Sequence, residues 1–178
     1  MTGQVLVAGI GNIFLGDDAF GSEVARRLLF EVWPADVRIA DFGIRGLDLT
    51  FALMDGYETV ILVDATPRGG EPGTLYTLEV EDPDGGAGAV DPHAMDPMRV
   101  LTAAKAMGAR WSRLLVVGCE PSPDTVDPEG PGALGMSAPV ERAVPEAMEI
   151  VRRMICGLTS EKSPKSSARP CSASSSWE

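Results

Sequence analysis

Apolar residues along this chain fall into two alternating patterns. Short continuous runs, Val5–Ala8, Val37–Ala40, Thr59–Val63 and Leu114–Val117, are too brief for helices and rich in β-branched residues. They read as strands, of which Thr59–Val63 is the clearest, apolar on both faces, and Leu114–Val117 is a further buried one, while Val37–Ala40 includes Arg38. Between them lie stretches with a period near 3.6. Phe20, Val24 and Leu28 recur every four residues, Asp48 to Met54 forms a short apolar helix, and Pro97 to Met107 places Met98, Val100, Leu101 and Ala104 inward. The last helix carries Val140, Val144, Met148, Val151 and Ile155 at helical spacing. Ser137 is positioned to cap it, and Pro145 is expected to kink or restart it. Thr74 to Val80 has the mixed polarity of an edge strand, and residues 81–92 read as a mobile Gly- and Pro-rich loop.

Strands and helices alternating over short connections predict an α/β fold. The expected form is a three-layer sandwich with a mostly parallel twisted sheet, helices on both faces and an antiparallel edge at 74–80. The chain of 178 residues suits one domain, expected over 1–158. Residues 159–178 (TSEKSPKSSARPCSASSSWE) are serine-rich and aperiodic, and are expected to be a disordered tail.

Charge narrows the possible partners. The net charge of −11 opposes nucleic acid and anionic membrane surfaces. No apolar run reaches the length of a membrane span and no signal-peptide pattern opens the chain, so a cytoplasmic location is expected. Cys119, Cys156 and Cys171 are odd in number and widely spaced, which suits free thiols rather than disulfides or a zinc site.

Candidate chemistry gathers after the strands. The first is followed by GIGNIFLGDDAFG, half of a dinucleotide fingerprint: Gly9 and Gly11 fit, but Phe14 stands where a third glycine belongs. Asp17 and Asp18 would repel a pyrophosphate; loop carboxylates suit a cation. Asp64 ends the third strand, and His93, the one histidine, follows the 81–92 loop. In a parallel sheet the C-terminal strand ends share one edge, so Asp18 and Asp64 can converge there. His93 can fold over them, giving two oxygens and one nitrogen for a divalent transition ion. The same residues also suit structural roles. Asp17 or Asp18 can cap the first helix, and Asp64 can accept bonds from loop amides. No G-x-S-x-G elbow is present, and Cys119 has a carboxylate neighbour, Glu120, that disfavours its thiolate as a nucleophile.

In order, GIGNIFLGDDAFGSEVARRL, DFGIRGLDL, ILVDA, DPHAMDPMRVL and VVGCEP followed by GMS resemble the hydrogenase maturation proteases across about residues 4–156. These endopeptidases trim the C-terminal extension of nickel-iron hydrogenase large subunits. The resemblance implies that Asp18, Asp64 and His93 bind nickel, carried by the large-subunit precursor rather than held as a resident ion. It further implies that the loop containing Asp41, Gly43 and Gly46 contacts the substrate. Asp17, Asp18 and Asp64 are candidates for the catalytic carboxylates, with Asp17 or Asp18 as general base. A non-enzymatic nickel- or partner-binding module is the alternative, and a monomer is the default state. The family often has Asp-Asp-Gly-x-Gly where this chain has Asp17-Asp18-Ala19-Phe20-Gly21. The change is harmless if residue 19 is helical and disruptive if it needs positive φ.

Overall fold

The structure is a computed structural model that describes residues 4–80, 97–125 and 135–161. Its strands are β1 (Val5–Ile10), β2 (Val37–Gly43), β3 (Thr59–Ala65), β4 (Leu75–Glu79) and β5 (Arg113–Cys119). Its α-helices are α1 (Phe20–Leu28), α2 (Gly46–Leu53), α3 (Pro97–Ala106) and α4 (Ala138–Glu161). The strands form one sheet in the order β2-β1-β3-β5-β4, parallel except for β4, which pairs antiparallel with β5 at the edge.

Strand alternation divides the core into two layers. Val5, Val7, Ile61, Val63, Leu115 and Val117 point to one face, where α1 and α4 cover them with Phe20, Val24, Leu28, Val140, Val144, Val151 and Ile155. Leu6, Ala8, Ile10, Val60, Leu62 and Leu114 point to the other, against Leu49 and Leu53 of α2 and Leu101 and Ala104 of α3. Full burial of each large aliphatic contributes about 1.5–3 kcal/mol. The double-sided strands therefore account for the continuous apolar runs seen in the sequence.

Three expectations change in detail. Met98 is exposed, and α3 buries Val100, Leu101 and Ala104 instead, because the inward stripe is narrower than four positions. Pro145 does not interrupt α4, which runs through it for 24 residues. Proline removes the N–H that would bond the carbonyl of Glu141; both residues lie on the exposed face, where water can satisfy that oxygen, while Val140, Val144, Ala147 and Val151 hold the helix to the sheet. The helix also continues to Glu161, past the expected domain end at residue 158. The 81–92 loop, His93 and the tail from residue 162 lie outside the described residues.

Candidate active site

Glycine contacts seat the loop after β1. Gly9 of β1 and Gly21 of α1 face each other: a Cβ on Gly9 would lie 2.4 Å from both the Gly21 oxygen and the Ala25 Cβ. A Cβ on Gly21 would lie 2.0 Å from the Val63 oxygen and 2.3 Å from the Ile10 oxygen. Helix α1 thus starts directly on the backbone of β1 and β3, with Asp18 just before it. The intervening residues Gly16–Ala19 form a 3-10 turn packed against the end of β3. Gly11, with φ +137°, passes so close to Asp18 that an added Cβ would collide with its carbonyl. Ala19 has φ −68° and ψ −10°, and Phe20 is helical as well. The departure from the family's glycine at position 19 therefore costs no backbone strain.

The two carboxylates of the loop have different surroundings. Asp18 is half-buried, and its Oδ2 accepts the Asn12 N–H at 2.7 Å. Burial pushes its carboxyl above the usual aspartate value, a rise only partly offset by the Asn12 amide. Asp17 is fully buried. Its Oδ1 accepts the Ser137 N–H at 2.6 Å, and its Oδ2 accepts the Ser122 N–H at 2.7 Å and the Ser137 hydroxyl at 2.9 Å. Burial raises its carboxyl, but the Ser122 amide, the Thr125 hydroxyl and the Ser137 amide and hydroxyl outweigh that and hold it below the usual value. An acid so enclosed and so hydrogen-bonded is poorly placed to take a proton from water, which weakens the expectation that Asp17 is the general base.

Asp64 lies half-buried near the end of β3, in register with Gly118 of β5. The chain beyond it is held by Glu120, a residue that sequence reasoning noticed only as a neighbour of Cys119. The buried Glu120 carboxylate accepts the N–H of Arg68 at 2.8 Å, that of Gly69 at 3.0 Å and the Tyr76 hydroxyl at 2.7 Å. Burial pushes this carboxyl up, yet the Tyr76 hydroxyl and the amides of Arg68, Gly69 and Gly70 bring it below its ordinary value. Cys119 is buried, and desolvation first, with Asp17 and Glu120 adding to it, pushes its thiol up to about 12. Such a thiol is not a thiolate near neutral pH, as the neighbouring carboxylate in the sequence suggested.

Around Asp41 the strand carries a bulge. Gly9 pairs with Asp41 but Ile10 with Gly43, so Phe42 is the extra residue on β2. Gly43 takes φ +54°, its N–H bonds Asp41 Oδ1 at 3.0 Å, and its carbonyl accepts the Gly11 N–H at 3.1 Å. That last bond ties the Asp41–Gly46 loop to the Asp18 loop. Arg45 bonds back to the carbonyls of Phe42 and Asp41, and Gly46 opens α2. A groove of about 460 Å³ lined by Arg38, Asp41, Arg45, Asp48 and Phe51 runs along this edge. Another, of about 720 Å³, lies at the opposite end of the sheet beside Tyr57, Lys105 and Trp111, away from the acids.

The structure therefore brings Asp18 and Asp64 to one sheet edge, beside the Asp41–Gly46 loop. Among the described residues no three His, Cys, Asp or Glu side chains form a group able to hold a metal, and His93 lies outside those residues. Two half-buried carboxylates are an incomplete set of hard oxygen donors, which fits an ion whose remaining ligands come from elsewhere.

Comparison with known proteins supplies the family. The hydrogenase maturation protease family model matches residues 22–154. The chain belongs to the hydrogenase maturation proteases. It is 32% identical to the hydrogenase expression/formation protein HupD of Rhodobacter capsulatus over 152 residues, 84% of this chain and 71% of that protein. It is 30% identical to the hydrogenase 2 maturation protease of Escherichia coli, covering 83% of this chain and 88% of that one. Among solved structures it resembles the hydrogenase maturating endopeptidase HybD of E. coli with a TM-score of 0.73 and 28% identity, over 86% of this chain and 93% of that one. Membership makes this maturation protease a peptidase with the mostly parallel α/β fold described above. No described helix is long and apolar enough to cross a membrane.

Proposed function

We propose that this maturation protease is an endopeptidase that removes the C-terminal extension of a nickel-iron hydrogenase large-subunit precursor once nickel is in place. Asp18, Asp64 and His93 act as ligands to the ion that the precursor carries. The observation that carries this reading is the pairing, at one sheet edge, of two half-buried carboxylates, Asp18 on a turn seated by glycine contacts and an Asn12 hydrogen bond and Asp64 near the end of β3 in register with Gly118. Asp18 is partly desolvated, and an approaching cation would relieve the cost of its charge.

Peptide hydrolysis adds water across the scissile C–N bond, with a proton delivered to the leaving nitrogen. The ion can polarise the carbonyl or acidify a water. Asp18 or Asp64, whichever is not bound to the ion at that moment, takes the proton from the attacking water. Asp17 is left out of this chemistry.

Substrate recognition falls to the loop of Asp41, Gly43 and Gly46. Beside its groove Ile44, Leu47 and Phe51 are 62%, 66% and 52% exposed, an apolar surface suited to a peptide segment of the precursor.

The test is to incubate the purified protein with nickel-loaded and nickel-free precursor and follow the subunit's mass. Shortening of the loaded form alone supports the proposal. Equal cleavage of both forms removes nickel recognition, and binding without cleavage removes the protease step. His93→Ala should abolish processing; normal cleavage by that variant removes the ligand role.

A further inference from the structure

Asp17 has no part in the proposed reaction, yet among the described residues it is one of two buried charged side chains, the other being Glu120. Its partners are remote in sequence. Ser122 is 105 residues away and Ser137 is 120, and these two serines also bond each other, Oγ to Oγ at 3.0 Å. Ser122 follows β5, and Ser137 immediately precedes α4. The backbone joins the same seam: a Cβ on Gly16 would lie 2.6 Å from the Thr125 oxygen.

We infer that Asp17 is a positioning residue, a latch that ties the turn presenting Asp18 to the end of the β5 segment and to the start of α4, and so fixes where the Asp18 carboxylate points. The inference rests on the proposed role of Asp18, but the hydrogen bonds do not.

The chemistry of the latch is selective. Both carboxylate oxygens face donors: Oδ1 faces the Ser137 N–H, while Oδ2 faces the Ser122 N–H and the Ser137 hydroxyl. An Asn in this place has a single acceptor oxygen. Whichever way its amide is turned, its NH2 opposes a backbone N–H, so one tether is lost in either orientation. Because residues 17 and 18 share one 3-10 turn, losing a tether lets the Asp18 side chain wander. A misplacement near 1 Å costs a reaction about a hundredfold.

The experiment compares wild type, Asp17→Asn, Ser137→Ala and Asp18→Asn in the full chain. Amide hydrogen exchange by mass spectrometry is read on residues 10–20, 122–125 and 135–140, with the sheet amides of β1 and β3 as internal reference. Processing of nickel-loaded precursor is resolved into kcat and KM. For Asp17→Asn the exchange of those three segments should rise at least about tenfold while β1 and β3 stay protected, and kcat should fall about a hundredfold with KM little changed. Ser137→Ala keeps both backbone tethers and should show a smaller change of the same kind, which preserves the test if Asp17→Asn fails to fold. Asp18→Asn should lose processing with wild-type exchange.

Wild-type exchange in the three segments of Asp17→Asn would overturn the latch. So would a loss of kcat without any change in exchange, which would return Asp17 to direct chemistry. If wild type processes no precursor, the proposed function fails, while the exchange result still decides the latch.

Discussion

Replacing Gly21 with alanine tests the claim that helix–strand contact sets the site. The added methyl would lie 2.0 Å from the Val63 carbonyl oxygen and 2.3 Å from that of Ile10, where ordinary contact begins at 3.4 Å. Relief needs a separation of about 1.4 Å. Both obstacles are backbone atoms of sheet strands, so α1 must be the part that moves. Overpacking of this kind costs about 1–3 kcal/mol. For a domain of this size each kcal/mol lowers Tm by roughly 2–4 °C. Asp18 precedes the helix by two residues and shares its displacement, so processing should fall by about a hundredfold, out of proportion to the stability lost. Gly157→Ala is the control. Nothing lies within 4 Å of its Cβ position, and it sits inside α4, so it should gain about 0.5–1 kcal/mol and process normally. Thermal melts by circular dichroism and a gel assay of precursor shortening read both effects. A Gly21→Ala protein with wild-type Tm and wild-type processing would refute the reasoning, because α1 would then have room that the contacts deny.

Other outcomes follow from the acids and the thiol. Asp18 has a carboxyl raised by burial, so its contribution to stability is greatest below its unfolded pKa and is lost as pH rises through the folded value. Asp18→Asn should therefore keep or raise Tm at pH 7 by calorimetry while abolishing processing; a clear drop in Tm would contradict the assigned environment. Asp17 and Glu120 have the opposite sign, with folded values below their usual ones. Their stabilisation is complete above the unfolded values, roughly 4, and should be lost as a Tm series is taken further down in pH. Cys119, with its thiol near 12, should resist iodoacetamide at pH 8 in the folded protein, and Cys119→Ala should process precursor at close to the wild-type rate.

How much of this was legible in the sequence depends on how far apart the interacting residues lie. Strands buried on both faces announce themselves as uninterrupted apolar runs, and the carboxyl-edge position of Asp18 and Asp64 follows from parallel order alone. The bulge at Phe42 has no such signature: it appears only when β2 is set beside β1. Pro145 misleads for a related reason, because local propensity marks a break while four core positions of α4 hold the helix through it. The aspartate pair is the most instructive case. The sequence permits one of them to be a helix cap, and α1 has no side-chain cap. Asp17 instead meets the N-terminal approach to α4, a helix that begins 121 residues later.

That displacement explains why each site acid has a buried companion. Asp18 is only half-buried and has one backbone hydrogen bond, from Asn12, so most of the rigidity of its turn has to come from a neighbour. Asp17 supplies it from the adjacent position, and Glu120 does the same from β5's end for the chain leaving Asp64. Each companion takes donors on both oxygens, which turns the cost of burying a charge into a demand for one backbone geometry. The half-buried carboxylates of Asp18 and Asp64 are then placed chiefly by backbone that these companions hold, where the proposed ion would meet them.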